Sequence, residues 1–116
     1  MNNFEKPSQP EKEPTILEEI EQVIKNAPAR IEKEYAQTSN PWYACIGTTL
    51  FQLETYIHIG SLVKEIGEER VQKMRQKSEE LKTFRSRIAD EYPDKSPNPP
   101  DEVQQEFYNR LNDVLK

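Results

Sequence analysis

Glu54, His58, Ser61 and Glu65 are the side chains of this sequence whose types could do chemistry together. Spacings of four, three and four residues put them on one face of a helix. A carboxylate, an imidazole and a hydroxyl in a row are the parts of a nucleophilic triad. A working triad converges on one substrate atom, with donors for an oxyanion beside it. Groups stacked along one helix diverge instead, and no Gly-rich elbow is present to expose Ser61. The chain is therefore expected to carry no catalytic residue and not to be an enzyme.

Glu54 and His58, at i and i+4, are also the one candidate pair of metal ligands. Carboxylate-bridged di-iron bundles use a Glu-x-x-His pair on each of two helices, and this chain has a single histidine. No metal and no cofactor are expected. The plain reading of the stripe is a partly solvated polar line on an otherwise apolar helix, suited to setting the register of a partner helix. Cys45 lies 13 residues from His58 in sequence, roughly 20 Å along a continuous helix. A thiol–imidazole dyad is excluded there, and a buried structural thiol is expected.

A basic segment follows. Arg70, Lys73, Arg75, Lys77, Lys82, Arg85 and Arg87 face only Glu79 and Glu80 over residues 70–87, a local charge of +5 in a chain of net −5. A helix that reads a nucleic-acid groove or lies on a membrane concentrates its charges on one side. Here Lys73 and Arg87 fall on one side and Arg75 and Lys82 on the other. Pairing with an acidic helix face is the expectation, and the net charge argues against non-specific nucleic-acid binding. Trp42, Tyr43, Phe51 and Tyr56 form an aromatic cluster that reads as core, or as an interface where it is exposed.

These groups sit in a stretch from Asn40 to Tyr92 that holds no proline between Pro41 and Pro93. Asn40 and Pro41 read as N-cap and first helical residue, and Pro93 ends the helix at or before Tyr92. A seven-residue repeat runs through it. One line is Ile46, Leu53, Gly60, Gly67, Met74, Leu81 and Ile88. The other is Leu50, Ile57, Lys64, Val71, Ser78, Arg85 and Tyr92. Gly67 is unfavourable inside a helix by about 1 kcal/mol and favoured just past a helix end. Unbroken phase and the lack of turn residues around it predict one helix of roughly 78 Å over 41–92. The alternative is a helical hairpin folded at Gly67, with helices of ordinary length.

Residues 41–66 are apolar over most of the helix circumference, so this segment must be buried on more than one side. A chain of 116 residues, 34% hydrophobic and 32% charged, has little material to cover it. Trp42, Tyr43, Phe51, Ile59, Leu62 and Ile66 are therefore expected to meet another chain, most simply a second copy. Spanning a membrane is not expected, because Glu54, His58 and Gln52 lie mid-segment and a central acid costs about 2.5–3.5 kcal/mol.

Around this centre, residues 1–14 read as a disordered tail without the apolar run of a signal peptide, so a cytoplasmic location is expected. Thr15 and Glu18 form a capping box for a helix with apolar residues at helical spacing from Ile16 to Tyr35 and an acidic outer face. Pro28 either kinks that helix or divides it. Residues 93–100 read as a stiff Pro-rich linker. Asp101, with Gln104 in the capping-box position, starts a C-terminal docking helix over 101–116 with Val103, Phe107, Leu111, Val114 and Leu115 on one face.

The predicted fold is all-α: a small antiparallel bundle with coiled-coil-like packing, its core domain spanning 15–92. The predicted function is a non-enzymatic helical interaction or scaffold module, homodimeric through the apolar faces of 41–66. A monomeric bundle with a ligand or metal near Glu54 and His58 is the alternative. An adaptor that contacts nucleic acid or an acidic partner through 70–87 is the other.

Overall fold

A computed structural model describes residues 13–116, and these contain five helices and no strand. They are α1 (Ile16–Gln37), α2 (Trp42–Ile57), α3 (Leu62–Ile66), α4 (Glu68–Glu91) and α5 (Asp101–Asp113). The tail expected over 1–14 lies outside the described residues except for Glu13 and Pro14.

α1 begins with the expected capping box: the Glu18 N–H donates to Thr15 Oγ1 at 3.1 Å and the Thr15 N–H to Glu18 Oε1 at 2.9 Å. The helix runs through Pro28 without dividing. Ile20, Ile24, Ala27 and Ile31 are buried from it, a stripe that repays the one backbone bond the proline removes. The next cap differs from expectation. Asn40 stays outside α2, Pro41 holds the N-cap position, and its carbonyl takes the Ala44 and Cys45 N–H groups.

The central stretch is not one long helix, and it breaks twice rather than once. α2 ends at Ile57, a turn over 58–61 follows, and α3 ends at Gly67, whose φ of 91° and ψ of 152° separate it from α4. A Cβ at Gly67 would meet nothing within 4 Å, so conformation and not space calls for glycine. The chain folds back, and α2 packs antiparallel between α1 and α4, within an envelope of 59 × 36 × 19 Å.

The seven-residue repeat survives this reversal because both halves face the same core. Ile46, Leu50, Leu53 and Ile57 from α2 are buried with Val71, Met74, Leu81 and Ile88 from α4. The positions of the seam without a side chain, Gly60 and Gly67, coincide with the two breaks.

The C-terminal segment docks on its own chain. Phe107, Leu111 and Val114 are buried. Phe107 meets Trp42 edge-on, with ring centroids 5.6 Å apart and planes at 84°, and lies at 16° to Phe84 with centroids 6.4 Å apart. The capping box expected at Asp101 does not form. Pro100 is the N-cap, and Gln104 Nε2 donates to the Pro99 carbonyl at 2.8 Å. Residues 93–100 are held against the bundle: Pro99 is buried, the Tyr35 hydroxyl donates to the Lys95 carbonyl at 2.5 Å, and Lys95 Nζ donates to the Thr38 carbonyl.

Candidate interaction surface

α2 has one charged residue, Glu54, in 16 positions. Its inner faces bury Cys45, Ile46, Thr49, Leu50, Leu53 and Ile57 against α1 and α4, and Trp42 also against α5. The third face looks outward. Thr48, Phe51 and Thr55 are exposed there, with Ala44 and Gln52 half-buried. Spacings of four, three and four make it a regular stripe. Phe51, 72% exposed, is the one large apolar side chain left in solvent among the described residues.

The six residues expected to form an intermolecular face do not share one. Trp42 and Leu62 are buried at 2% and 0% exposure, inside the chain's own core. Tyr43 is half-buried beneath the Arg85 guanidinium, which lies 5.6 Å from its ring centroid. Ile59 and Ile66 are half-buried beside the turn and α3. Only Phe51 is fully presented. The premise of an uncovered apolar helix fails because α1 and α4 cover both apolar sides of α2.

The polar stripe is dispersed as well. Glu54 and His58 stay near each other, Oε2 to Nε2 at 3.8 Å. Lys82 binds the Glu54 carboxylate and also meets Glu79 at 3.0 Å. These two bonds raise the Lys82 pKa and hold the ammonium charged. Ser61 precedes α3, beyond the break, so it no longer continues the row. Glu65 turns to α1, where its carboxylate takes the Ile16 N–H at 3.0 Å and the Leu17 N–H at 3.1 Å. Among the described residues, no three His, Cys, Asp or Glu side chains gather as a metal site would need.

Most of the basic segment is spent inside the fold, but not on the acidic face of α1. Arg70 Nη2 donates to the Leu115 carbonyl at 3.0 Å and Lys77 Nζ to the Asp113 carbonyl at 2.8 Å, both at the C-terminal end of α5. Arg75 Nε donates to the last carbonyl of α2, at Ile57, at 3.2 Å. Cations belong at such ends, where carbonyls lack helical partners and the helix dipole is negative. Arg87 lies 4.8 Å from the Phe84 ring centroid, and Lys73 is exposed.

Arg85 is the exception in kind. Its Nε donates to the Tyr43 carbonyl at 2.7 Å, near the start of α2 rather than at the C-terminal end of a helix. Its guanidinium lies over Gly47, where a Cβ would come within 2.8 Å of Nη2. Composition gave no hint of Gly47's importance. The signal was positional, a glycine in the middle of an apolar helix that must have a packing reason.

Grooves run along both sides of α2. The one between α2 and α4, about 390 Å³, is lined by Gly47, Leu50, Phe51, Glu54, Lys82 and Arg85. The one between α1 and α2, about 250 Å³, is polar. In it Arg30 Nη1 donates to Gln52 Oε1 at 2.8 Å and the Tyr56 hydroxyl to Glu19 Oε2 at 3.0 Å.

Cys45 is buried, and desolvation, reinforced by Glu34, pushes its thiol pKa up. That favours the protonated, unreactive form. No helix among the described residues is long and apolar enough to cross a membrane. Compared with what is known, the chain matches no protein-family model, no curated protein and no solved structure.

Proposed function

We propose that this chain is a non-enzymatic helical interaction module whose partner-facing surface is the outer face of α2, with Phe51 as its anchor. The observation that carries the reading is the exposure of Phe51, 72%, on a helix whose other large apolar residues are buried or half-buried by the chain itself. Aromatic side chains anchor interfaces because they bring large apolar area at small entropic cost.

Size argues about the partner. α2 has 16 residues. Its outer face is about 24 Å long and about 10 Å wide. It therefore offers roughly 240 Å², against about 800 Å² per partner in a stable interface. Such a face suits a short docked segment and a transient contact better than an obligate homodimer.

Selection of peptides from a random display library against the full chain tests the reading. Binders are expected to weaken at least about tenfold with Phe51→Ser, a loss consistent with truncating one anchor. Failure to select any binder, or binders indifferent to Phe51→Ser, defeats it. Light scattering on a sizing column tests self-association separately: a monomer is expected, and a dimer that Phe51→Ser dissociates restores the homodimer.

A further inference from the structure

We propose that the groove between α2 and α4 takes a short acidic-apolar segment of a partner protein, with a carboxylate on the Arg85 guanidinium and an apolar side chain against Leu50 and Phe51. This rests on the reading of α2 as the docking surface and adds the chemistry of what docks there.

The argument starts from what holds Arg85. The Tyr43 carbonyl fixes Nε at 2.7 Å, the Tyr43 ring lies beside the guanidinium at 5.6 Å, and Gly47 leaves the room the guanidinium occupies. Three contacts thus orient one side chain before any ligand arrives, which lowers the entropic cost of binding. They use one of its five N–H donors. Among the described residues, no carboxylate lies within ion-pair distance of Arg85. The neighbouring cation differs: Lys82 is already neutralised by Glu54 and Glu79. Both acids contact Lys82, so Arg85 is the cation of this groove with no carboxylate in contact among the described residues.

Beside these charges the groove is lined by Gly47, Leu50 and Phe51, which are apolar, and by the exposed Ser86. An oriented guanidinium favours a planar, bidentate acceptor, and a carboxylate has that shape. An apolar wall next to it asks for an apolar group close to the carboxylate. Aspartate or glutamate adjacent to leucine or an aromatic residue supplies both. A nucleic acid would need an unbroken row of available cations, and the row along α4 is interrupted where Arg70, Arg75 and Lys77 meet backbone carbonyls and Lys82 meets two carboxylates, with Lys73 and Arg87 left exposed.

The test titrates the isotope-labelled full chain with phenylacetate and with phenylacetamide, which has the same shape and no charge. Amide and guanidinium resonances of Gly47, Phe51 and Arg85 are expected to move with phenylacetate. Its affinity should exceed that of the amide by at least about tenfold, as a charge-assisted bidentate contact requires. Arg85→Gln should abolish the preference. Arg85→Lys, which keeps the charge and loses the fork, should retain only part of it, and it serves if Arg85→Gln does not fold. Equal binding of the two probes, or a preference that survives Arg85→Gln, overturns the proposal. So does any shift at these residues that depends on protein concentration without a probe, because a second copy then fills the groove. Display-selected peptides that contact Phe51, carry no acid and ignore Arg85→Gln would leave the docking surface standing and remove the carboxylate site. Peptides enriched in an acid beside an apolar residue, and weakened by Arg85→Gln, support it.

Discussion

Glu65 caps a helix that begins 49 residues before it: its carboxylate accepts the Ile16 N–H at 3.0 Å, with the Leu17 N–H at 3.1 Å on the other oxygen. Two N-terminal donors of α1 that have no partner inside the helix are satisfied from α3. The five-residue α3 is too short to be stable alone. It is fixed by this bond and by Leu62, which is fully buried.

Replacing Glu65 by alanine is expected to cost about 1 kcal/mol, the usual worth of a capping carboxylate. Faster hydrogen exchange at Ile16 and Leu17 would accompany it. Exchange rates unchanged at those two amides would show that the cap contributes nothing in solution.

Phe51 and Leu62 should respond in opposite ways, although both were expected at one interface. Phe51→Ser should alter stability by less than about 0.5 kcal/mol, because the side chain is in solvent. Leu62→Ala should cost about 2–5 kcal/mol, as core truncations do. Urea unfolding of the two variants reads this directly. Equal sensitivity would mean that Phe51 is covered in solution.

Gly47 and Arg85 should be coupled. In the native background Gly47→Ala places a Cβ 2.8 Å from Arg85 Nη2 and should disturb the bond to the Tyr43 carbonyl. In an Arg85→Ala background the same change should stabilise by about 1 kcal/mol, the helix-propensity gain of alanine over glycine. A double-mutant cycle with no coupling would place the guanidinium elsewhere.

Tyr108 sets a stability limit at alkaline pH. Its hydroxyl is buried without a hydrogen-bond partner among the described residues. Burial first, and Glu32 second, push its pKa from 10.0 up to about 12. Above pH 10.0 the unfolded chain releases this proton while the folded chain retains it, so stability falls as pH rises towards about 12. Tyr108→Phe should flatten that fall and, at neutral pH, be neutral or stabilising by about 1 kcal/mol, since it removes an unpaired buried hydroxyl. Thermal unfolding across this range checks both. An unchanged alkaline slope in the variant would assign the loss to other groups.

α5 should prove integral to the fold. Phe107→Ala removes the ring between Trp42 and Phe84 and is expected to cost about 3–5 kcal/mol. Trp42 fluorescence should shift to the red as its neighbour is lost. A fully stable variant with unshifted emission would mean that α5 docks elsewhere.

The sequence by itself determined the all-helical class, the capping box at Thr15 and the identity of most core residues. Those features are local: a cap needs residues three apart, and the 3.6-residue period marks which side of a helix avoids water. Tertiary structure decided what covers each side. The repeat over Ile46 to Ile88 gave the same pattern for one long helix as for two halves folded on one core, because periodicity records facing and not continuity. The use of Arg70, Arg75 and Lys77 at helix ends, of Glu65 as a distant cap and of Gly47 as a seat for Arg85 follows from which helices become neighbours. So does the candidate site: Phe51 had apolar neighbours of the same kind all along 41–66, and only the docking of α1 and α4 on the other faces of α2 left it in solvent.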